Sequence, residues 1–579
     1  MRVSPCPLPS VVASSSYTVS AEGYPDYTAN AITSDEAAAA YREAAAGDAD
    51  GSGNVGGTST ASQTTTVSSN DIASTEHEFL VLGLIPKVKN TITLTITDTD
   101  GNATTRTIEQ TGPKLLGEEE VRLEQAVAPD ESTVTTLGNG LYAILGNDPT
   151  SRTFMYYYDA NGVIAANPVL YYRSHRLLFD NDGIMWFSAS TKHFVGMNRL
   201  GKLVKIINLG DQYILHHDYA LDSDGNIVSL ATDLKHSDHA VQDQVIKVDT
   251  DSGEVSLLVD FGDLFPDYKQ STDHSGIDES DPTATNRWDW IHFNTIQLMD
   301  DGSALLSARE TSTMIKINDI EGTPSLDYMI GEPSVWDGMD AQPSFLTKVG
   351  DSGDTGGQHS ITVQYDSSLE DGQYYIYMFD NNFGYAMTRP DFDWTMIDGI
   401  STAQSSKDEN SNSQFRKYLV DENAGTYTEV QDFDVPYSPY VSSAQELSDD
   451  LNLVDTGMQG LFGVYDDDGN LKAQYEDGCS VRDTSTASTS TASAASTSRE
   501  DWHRPHGRCQ SSNGRFLSAT ASQPHTCGES DPHKTPQPQP ALRQTRPRAR
   551  PAPVRGRWRI RAGGSYPCHA WRKSPACCS

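Results

Sequence analysis

From about Thr135 to Glu476 the chain repeats one theme: a short run of β-branched and aromatic residues, a turn built on Asp and Gly, then another such run. The turns include Asp159-Ala-Asn-Gly162, Asp180-Asn-Asp-Gly183, Asp222-Ser-Asp-Gly225, Asp249-Thr-Asp-Ser-Gly253, Asp300-Asp-Gly302 and Asp466-Asp-Asp-Gly469. Asp and Gly tolerate the left-handed backbone angles that tight hairpins demand. Runs such as Leu170-Tyr-Tyr, Ile184-Met-Trp-Phe and Val245-Ile-Lys-Val flank them, and helical periodicity is scarce. Repeated four-stranded units close a sheet radially without leaving long edges, so the chain is expected to be all-β and to form a β-propeller. The aspartates also suggest calcium loops, but no Glu falls where an EF-hand requires its bidentate ligand.

Ahead of this region, Phe79-Leu-Val-Leu-Gly-Leu-Ile-Pro86 precedes Asn90-Thr-Ile-Thr-Leu-Thr-Ile-Thr-Asp-Thr-Asp-Gly101, a strand-and-hairpin pattern that suits a small β-sandwich. Residues 36–70 are rich in Ala, Gly, Ser and Thr and hold too few apolar residues to pack. Within them Gly51-x-Gly53-x-x-Gly56 matches the dinucleotide-binding spacing, but it follows no strand and opens no apolar helix, so it reads as chance. After Asp483 the sequence turns to Ser/Thr/Ala repeats and then to a basic stretch rich in Pro, Arg, His and Cys, which cannot bury enough apolar surface to fold. The expected organisation is therefore an N-terminal segment with a low-complexity insertion (1–70), a sandwich domain (71–128), a propeller (129–482) and a disordered or frameshifted tail (483–579).

Charge narrows the partners. The chain carries 42 Lys and Arg against 80 Asp and Glu, a formal charge of −38, and 14 of the basic but only 3 of the acidic residues lie in 501–579. So acidic a body repels phosphate backbones and anionic lipid heads, which argues against nucleic acid and membrane surfaces. No stretch approaches the roughly 18 apolar residues of a membrane-spanning helix, so membrane insertion is not expected. Met1 to Ser20 lacks the charged start and apolar run of an export signal. Of 7 cysteines, Cys509, Cys527, Cys568, Cys577 and Cys578 fall in the tail, leaving Cys6 and Cys479, so no disulfide framework supports the fold.

Three histidine settings each begin a strand: His216-His217-Asp218-Tyr219, Asp289-Trp-Ile-His292-Phe-Asn294 and Gly356-Gly-Gln-His359-Ser360. Inner propeller strands start or end at the mouth of the central channel, so histidines placed alike on different blades converge there. Arg309, in Ala304-Leu-Leu-Ser-Ala-Arg309, sets an obligate cation inside a β-forming stretch, and its forked donors fit an oxyanion such as sulfate. A lone histidine is more often structural, but four residues in one type of position point to a shared pocket. Strand alternation favours His217 over His216 as the inward-facing one.

Asp-Trp-Ile-His292-Phe-Asn294, Leu-Leu-Ser-Ala-Arg309 and Gly-Gln-His359-Ser360 resemble the sequence marks of the bacterial arylsulfate sulfotransferases, and His216-His217-Asp218 is similar to a fourth mark. Leu82-Gly-Leu-Ile-Pro86 to Gly101 resembles that family's N-terminal immunoglobulin-like domain. Pro436-Tyr-Ser-Pro-Tyr440 with Val464-Tyr-Asp-Asp-Asp-Gly-Asn-Leu471 resembles its closing blade. The resemblance covers roughly residues 70–480. It implies a six-bladed propeller behind an immunoglobulin-like β-sandwich, no cofactor, and partners that are small-molecule phenolic sulfate donors and phenol acceptors, with a homodimer allowed. It implies a periplasmic location, although no export signal is visible. It makes His359 the nucleophile of a ping-pong reaction through a sulfohistidine, with Arg309, His292 and His217 neutralising charge on the sulfuryl oxygens. His217 or His292 would protonate the departing phenolate, and Asn294 and His216 would lie at the substrate.

Other classes fit less well. A sulfatase needs Cys/Ser-x-Pro-x-Arg, which is absent, and a nucleotide-sulfonate sulfotransferase needs a phosphate-cradling loop, also absent. Three imidazoles suit zinc, but Arg309 would repel the metal, so no metal is expected. The alternative is a non-catalytic propeller used for binding or adhesion, which has no need of cations facing one channel.

Overall fold

The computed structural model describes residues 2–4, 12–31, 79–98, 100–115, 120–138, 140–145, 155–166, 176–198, 200–275, 277, 288–448 and 450–476, and the short strands 510–512, 516–520 and 559–561. The insertion at 36–70 with its glycine motif, the Leu170-Tyr-Tyr run, Cys479 and most of the tail lie outside the described residues.

Asp-Gly turns make the hairpins. In Asp159, Asp180, Asp222 and Asp466 the carboxylate Oδ1 accepts the backbone N–H groups two and four residues on, at 2.7–3.2 Å. The glycine three residues on takes a left-handed φ, +66° at Gly162 and +83° at Gly225. The carboxylate mimics a backbone turn while glycine supplies the angle.

The hairpins assemble into six consecutive sheets, the blades, antiparallel but for a parallel strand added to the first (Phe516–Thr520 on Leu141–Leu145) and to the fifth (Thr347–Val349 on Thr426–Val435). Blade 1 comprises Leu141–Leu145, Met155–Tyr158 and Ile164–Ala166. Blade 2 runs from Leu178–Phe179 to Leu203–Asn208 and blade 3 from Tyr213–Leu221 to Val255–Asp260. Blade 4 runs from Phe293–Leu298 to Ser325–Gly331, blade 5 from His359–Gln364 to Thr426–Val435, and blade 6 from Ser443–Ser448 to Leu471–Glu476. Each blade buries apolar side chains against the next. Leu141 and Phe187 join blades 1 and 2, Phe194 and Ile227 join 2 and 3, and Leu230 and Ile315 join 3 and 4. Ile330 and Ile376 join blades 4 and 5, Phe415 and Val454 join 5 and 6, and Phe462 and Tyr142 close 6 onto 1. Six interfaces returning to the start make a closed six-bladed propeller.

Closure is also made by hydrogen bonds between strands: Glu124–Val127, from the head of the propeller, pairs antiparallel with Leu471–Glu476 at its end and forms the outermost strand of blade 6. The propeller thus takes in residues ahead of 129. In front of it stands a sheet in the order Tyr27–Asn30, Val12–Ala21, Lys89–Asp98, Ala103–Thr111, with Tyr17, Val19, Ile92, Leu94 and Ile96 packing against Phe79 and Val81. This sandwich draws on Val12–Ala21 and Tyr27–Asn30, ahead of the boundary expected at 71. Among the described residues no helix is long and apolar enough to cross a membrane.

Candidate active site

The first strands of blades 3 to 6 lie side by side and are stitched across their edges. Asp218 accepts from Ile296 N–H at 3.0 Å, Thr295 Oγ1 accepts from Ser360 N–H at 3.1 Å, and Ser360 Oγ donates to Ala444 O at 3.2 Å. Those of blades 3, 4 and 5 each carry an irregularity where they meet. Register slips between Leu215 and Tyr219, between Phe293 and Thr295, and between His359 and Thr362. His217, His292 and Ser360 stand there with φ of +43°, +52° and +58°. A non-glycine residue held left-handed costs about 1–3 kcal/mol, and bulges re-aim side chains, so three repeats of the strain on adjacent blades mark a built site.

The bulges bring His217 and His292 together, Nε2 to Nε2 at 3.0 Å. His292 Nδ1 in turn meets Asp289 Oδ2 at 2.5 Å. His216 and His217 are equally buried, at 8% exposure each, so strand alternation does not separate them inside the bulge. Contact separates them instead: His217 bonds His292, while the His216 ring sits edge-on to His217 with centroids 5.6 Å apart.

Arg309 begins the turn after Ala304–Ala308, and its N–H donates to the His292 carbonyl at 3.1 Å, which fixes it beside the histidine pair. Its guanidinium pairs with Glu310 and lies over the rings of Tyr440, at 5.1 Å, and Tyr385, at 5.6 Å. Glu310 also accepts from Met387 N–H at 2.5 Å. Burial pushes the Glu310 carboxyl up to about 7, against the lowering influence of Arg309 and with Asp289 adding to the rise. The cation expected to meet an oxyanion therefore comes with its own counter-ion, one that titrates near neutrality.

His359 opens blade 5. Its Nδ1 lies 2.7 Å from Asn381 Oδ1 and 2.9 Å from the Gly357 carbonyl. The Asn381 amide is oriented by its own bonds, since Nδ2 donates to Ser438 O at 2.7 Å and Val441 O at 2.9 Å. Both groups facing Nδ1 are thus acceptors, so Nδ1 carries the proton and the ring's lone pair is on Nε2. Asn294, expected at the substrate, spends its Nδ2 on the Gln358 carbonyl at 2.8 Å and so holds the backbone leading into His359. Asp380 fixes the other side of that loop by accepting from Gly356 N–H at 2.9 Å, and Arg416 pairs with it at 3.0 Å.

Gly357 has φ of +63°, and a Cβ there would lie 2.9 Å from the Phe383 carbonyl and 3.9 Å from Arg309 Cγ. Gly357→Ala is expected to cost about 1–3 kcal/mol in urea unfolding. Because the strain sits two residues before His359, turnover should fall more than that stability loss alone explains.

Sequence reasoning passed over Asp289, Glu310 and Asn381 as functional. Asn381 carried a usable signal: it follows the second strand of blade 5, Gln373–Asp380, as Arg309 follows that of blade 4.

The sheets and this cluster define a six-bladed β-propeller with a histidine and arginine site at the bulged edges of its inner strands. An arylsulfotransferase (ASST) family model matches residues 127–499 and an arylsulfotransferase Ig-like domain model matches residues 50–113, and the chain belongs to the arylsulfotransferase family. Sulfotransferase chemistry and small-molecule phenolic substrates go with that membership. No curated protein matches the chain. Among solved structures it is similar to a putative 6-phosphogluconolactonase from Bacteroides uniformis, at 11% identity and TM-score 0.31 over 66% of this chain and 90% of that one. It is also similar to BamB from Moraxella catarrhalis, at 11% identity and TM-score 0.27 over 60% and 89%. The WD40 domain of Toxoplasma gondii coronin matches at 9% identity and TM-score 0.27 over 64% and 78%. These likenesses are slight, and the propeller rests on its own sheets.

Proposed function

We propose that the protein passes a sulfuryl group from a phenolic sulfate ester to a phenolic acceptor, in a periplasmic setting, by a ping-pong reaction through His359. The observation that carries this reading is the pair of acceptors, Asn381 Oδ1 and Gly357 O, at His359 Nδ1, which assigns the proton to Nδ1 and the lone pair to Nε2. Nε2 attacks sulfur, the S–O bond to the aryl group breaks, and the phenolate leaves with the electron pair and takes a proton from the His217–His292 pair. In the sulfated imidazole the ring is cationic and the sulfuryl oxygens carry the balancing negative charge, while Nδ1–H remains held by two acceptors. An incoming phenol then attacks sulfur, its proton returns to the histidine pair, and the N–S electron pair goes back to Nε2. Arg309 faces the charge on the sulfuryl oxygens in both steps.

Incubation with 4-nitrophenyl sulfate tests the reading. Nitrophenol release that depends on added phenol, with phenyl sulfate as co-product, is the expected result. Release without phenol would mean hydrolysis, and no release would mean a propeller that only binds.

A further inference from the structure

A proton that must leave and return within one catalytic cycle needs a place to wait. Asp289, His292 and His217 form a continuous chain, with 2.5 Å from carboxylate Oδ2 to His292 Nδ1 and 3.0 Å between the facing Nε2 atoms. All three are buried, at 8%, 7% and 8% exposure. A carboxylate only accepts, so His292 Nδ1 carries a proton directed at Asp289. The two Nε2 atoms then hold a single proton between them, because two N–H groups cannot face each other at hydrogen-bond distance.

The surrounding charges are fixed by the backbone. Arg309 is tied to the His292 carbonyl, Glu310 faces both Arg309 and Asp289, and His216 sits edge-on to His217. His292 itself has φ of +52°, a strained conformation that persists only where the surroundings over-determine it.

We propose that Asp289 is a positioning residue for proton transfer, holding His292 so that the one proton between His292 and His217 stays available to the phenol oxygen, and thereby extending the substrate range to phenols of low acidity. The inference rests on the transfer reading above. A carboxylate in this place fixes the imidazole tautomer and supports the imidazolium while protons move, without itself taking the proton. Such help matters in proportion to the basicity of the departing oxygen. A nitrophenolate is stable as an anion and leaves unaided. An alkyl-substituted phenolate is basic and must be protonated as the S–O bond breaks.

The test measures kcat/KM of wild type and Asp289→Asn with a donor series running from nitrophenyl to alkylphenyl sulfates, at saturating acceptor. For Asp289→Asn the alkylphenyl donors are expected to lose about 10²–10⁴-fold while 4-nitrophenyl sulfate loses less than about tenfold, because general acid help of that size is withdrawn only where it was needed. His217→Asn should show the same steepening with leaving-group basicity. If Asp289→Asn expresses poorly, Asp289→Ser, which is smaller and equally uncharged, carries the test in its place. Formation of sulfated enzyme from 4-nitrophenyl sulfate shows that the nucleophile and fold are intact in each variant. An equal loss for every donor would assign Asp289 a structural role and overturn the proposal, as would no loss for any donor. Absence of phenol-dependent release by wild type would instead overturn the transfer reading itself.

Discussion

Replacement of His359 by alanine is expected to abolish phenol-dependent release of nitrophenol, lowering turnover by roughly 10⁴-fold or more, as removal of a covalent nucleophile does in other transferring enzymes. The same substitution should remove the acid-sensitive sulfuryl adduct that mass spectrometry is expected to detect on wild-type enzyme trapped with donor alone. Neither effect should come from unfolding, because the loop before His359 is held by partners that do not involve the ring: Asn294 and Ser307 on the Gln358 carbonyl, at 2.8 and 3.0 Å, and Ser312 on Gly357 N–H at 2.9 Å. An adduct that persists in the alanine variant, on another residue, would dismiss His359 from the role. Asn381→Leu supplies a graded companion. It keeps the imidazole but removes one of the two acceptors that place the proton on Nδ1, so part of the population should present N–H to sulfur, and turnover should fall by a smaller factor than in the alanine variant.

The contrast between Asp222 and Asp289 explains what a sequence of this kind discloses. Asp222 shapes its turn within four residues of itself, through the N–H groups of Asp224 and Asn226, and its neighbouring Gly225 fixes the backbone. Its purpose is written locally, and the hairpins are legible for that reason. Asp289 acts through a histidine that in turn meets a histidine 75 residues away, and only the placement of blades 3 and 4 side by side makes the chain. Ring closure follows the same rule, since Glu124–Val127 finds Leu471–Glu476 only once six blades are in place. The N-terminal sheet is a different case. Tyr17 and Val19 alternate with Thr18 and Ser20 in burial, a period of two that marks a strand, but the long insertion rich in Ala, Gly, Ser and Thr at 36–70 separates it in sequence from its partner Lys89–Asp98. His217, His292, Arg309 and His359 stood out as blade-opening or blade-turning polar residues in apolar settings. Their carboxylate companions did not, because Asp and Glu are abundant in this chain and the ones that matter look like the rest.

Arg309→Gln is expected to lower kcat by about 10²–10³-fold, the usual effect of removing one donor to charge that develops in a transition state. It should also destabilise the protein, for a reason separate from catalysis. Glu310 is 1% exposed and its carboxyl is already raised from 4.5 to about 7 by burial, with Arg309 the principal influence holding it down. A carboxyl whose folded value lies above its unfolded one binds the proton more tightly when folded, so the stability it contributes is present below about pH 4.5 and declines as pH rises through about 7. Without the guanidinium the folded value climbs further, and the decline should extend to higher pH and grow deeper. Breaking a buried pair by removing one partner typically costs about 3–5 kcal/mol, whereas replacing both is close to neutral. Arg309→Gln combined with Glu310→Gln should therefore recover most of the stability in urea unfolding at pH 8 and lose the pH dependence, yet regain none of the activity. Glu310→Gln alone should leave Arg309 with its charge uncompensated and tighten donor binding above pH 7, where the wild-type carboxylate competes with sulfate for the guanidinium. Recovery of activity in the double variant would show that Arg309 serves the fold and leaves the sulfuryl oxygens to the histidines.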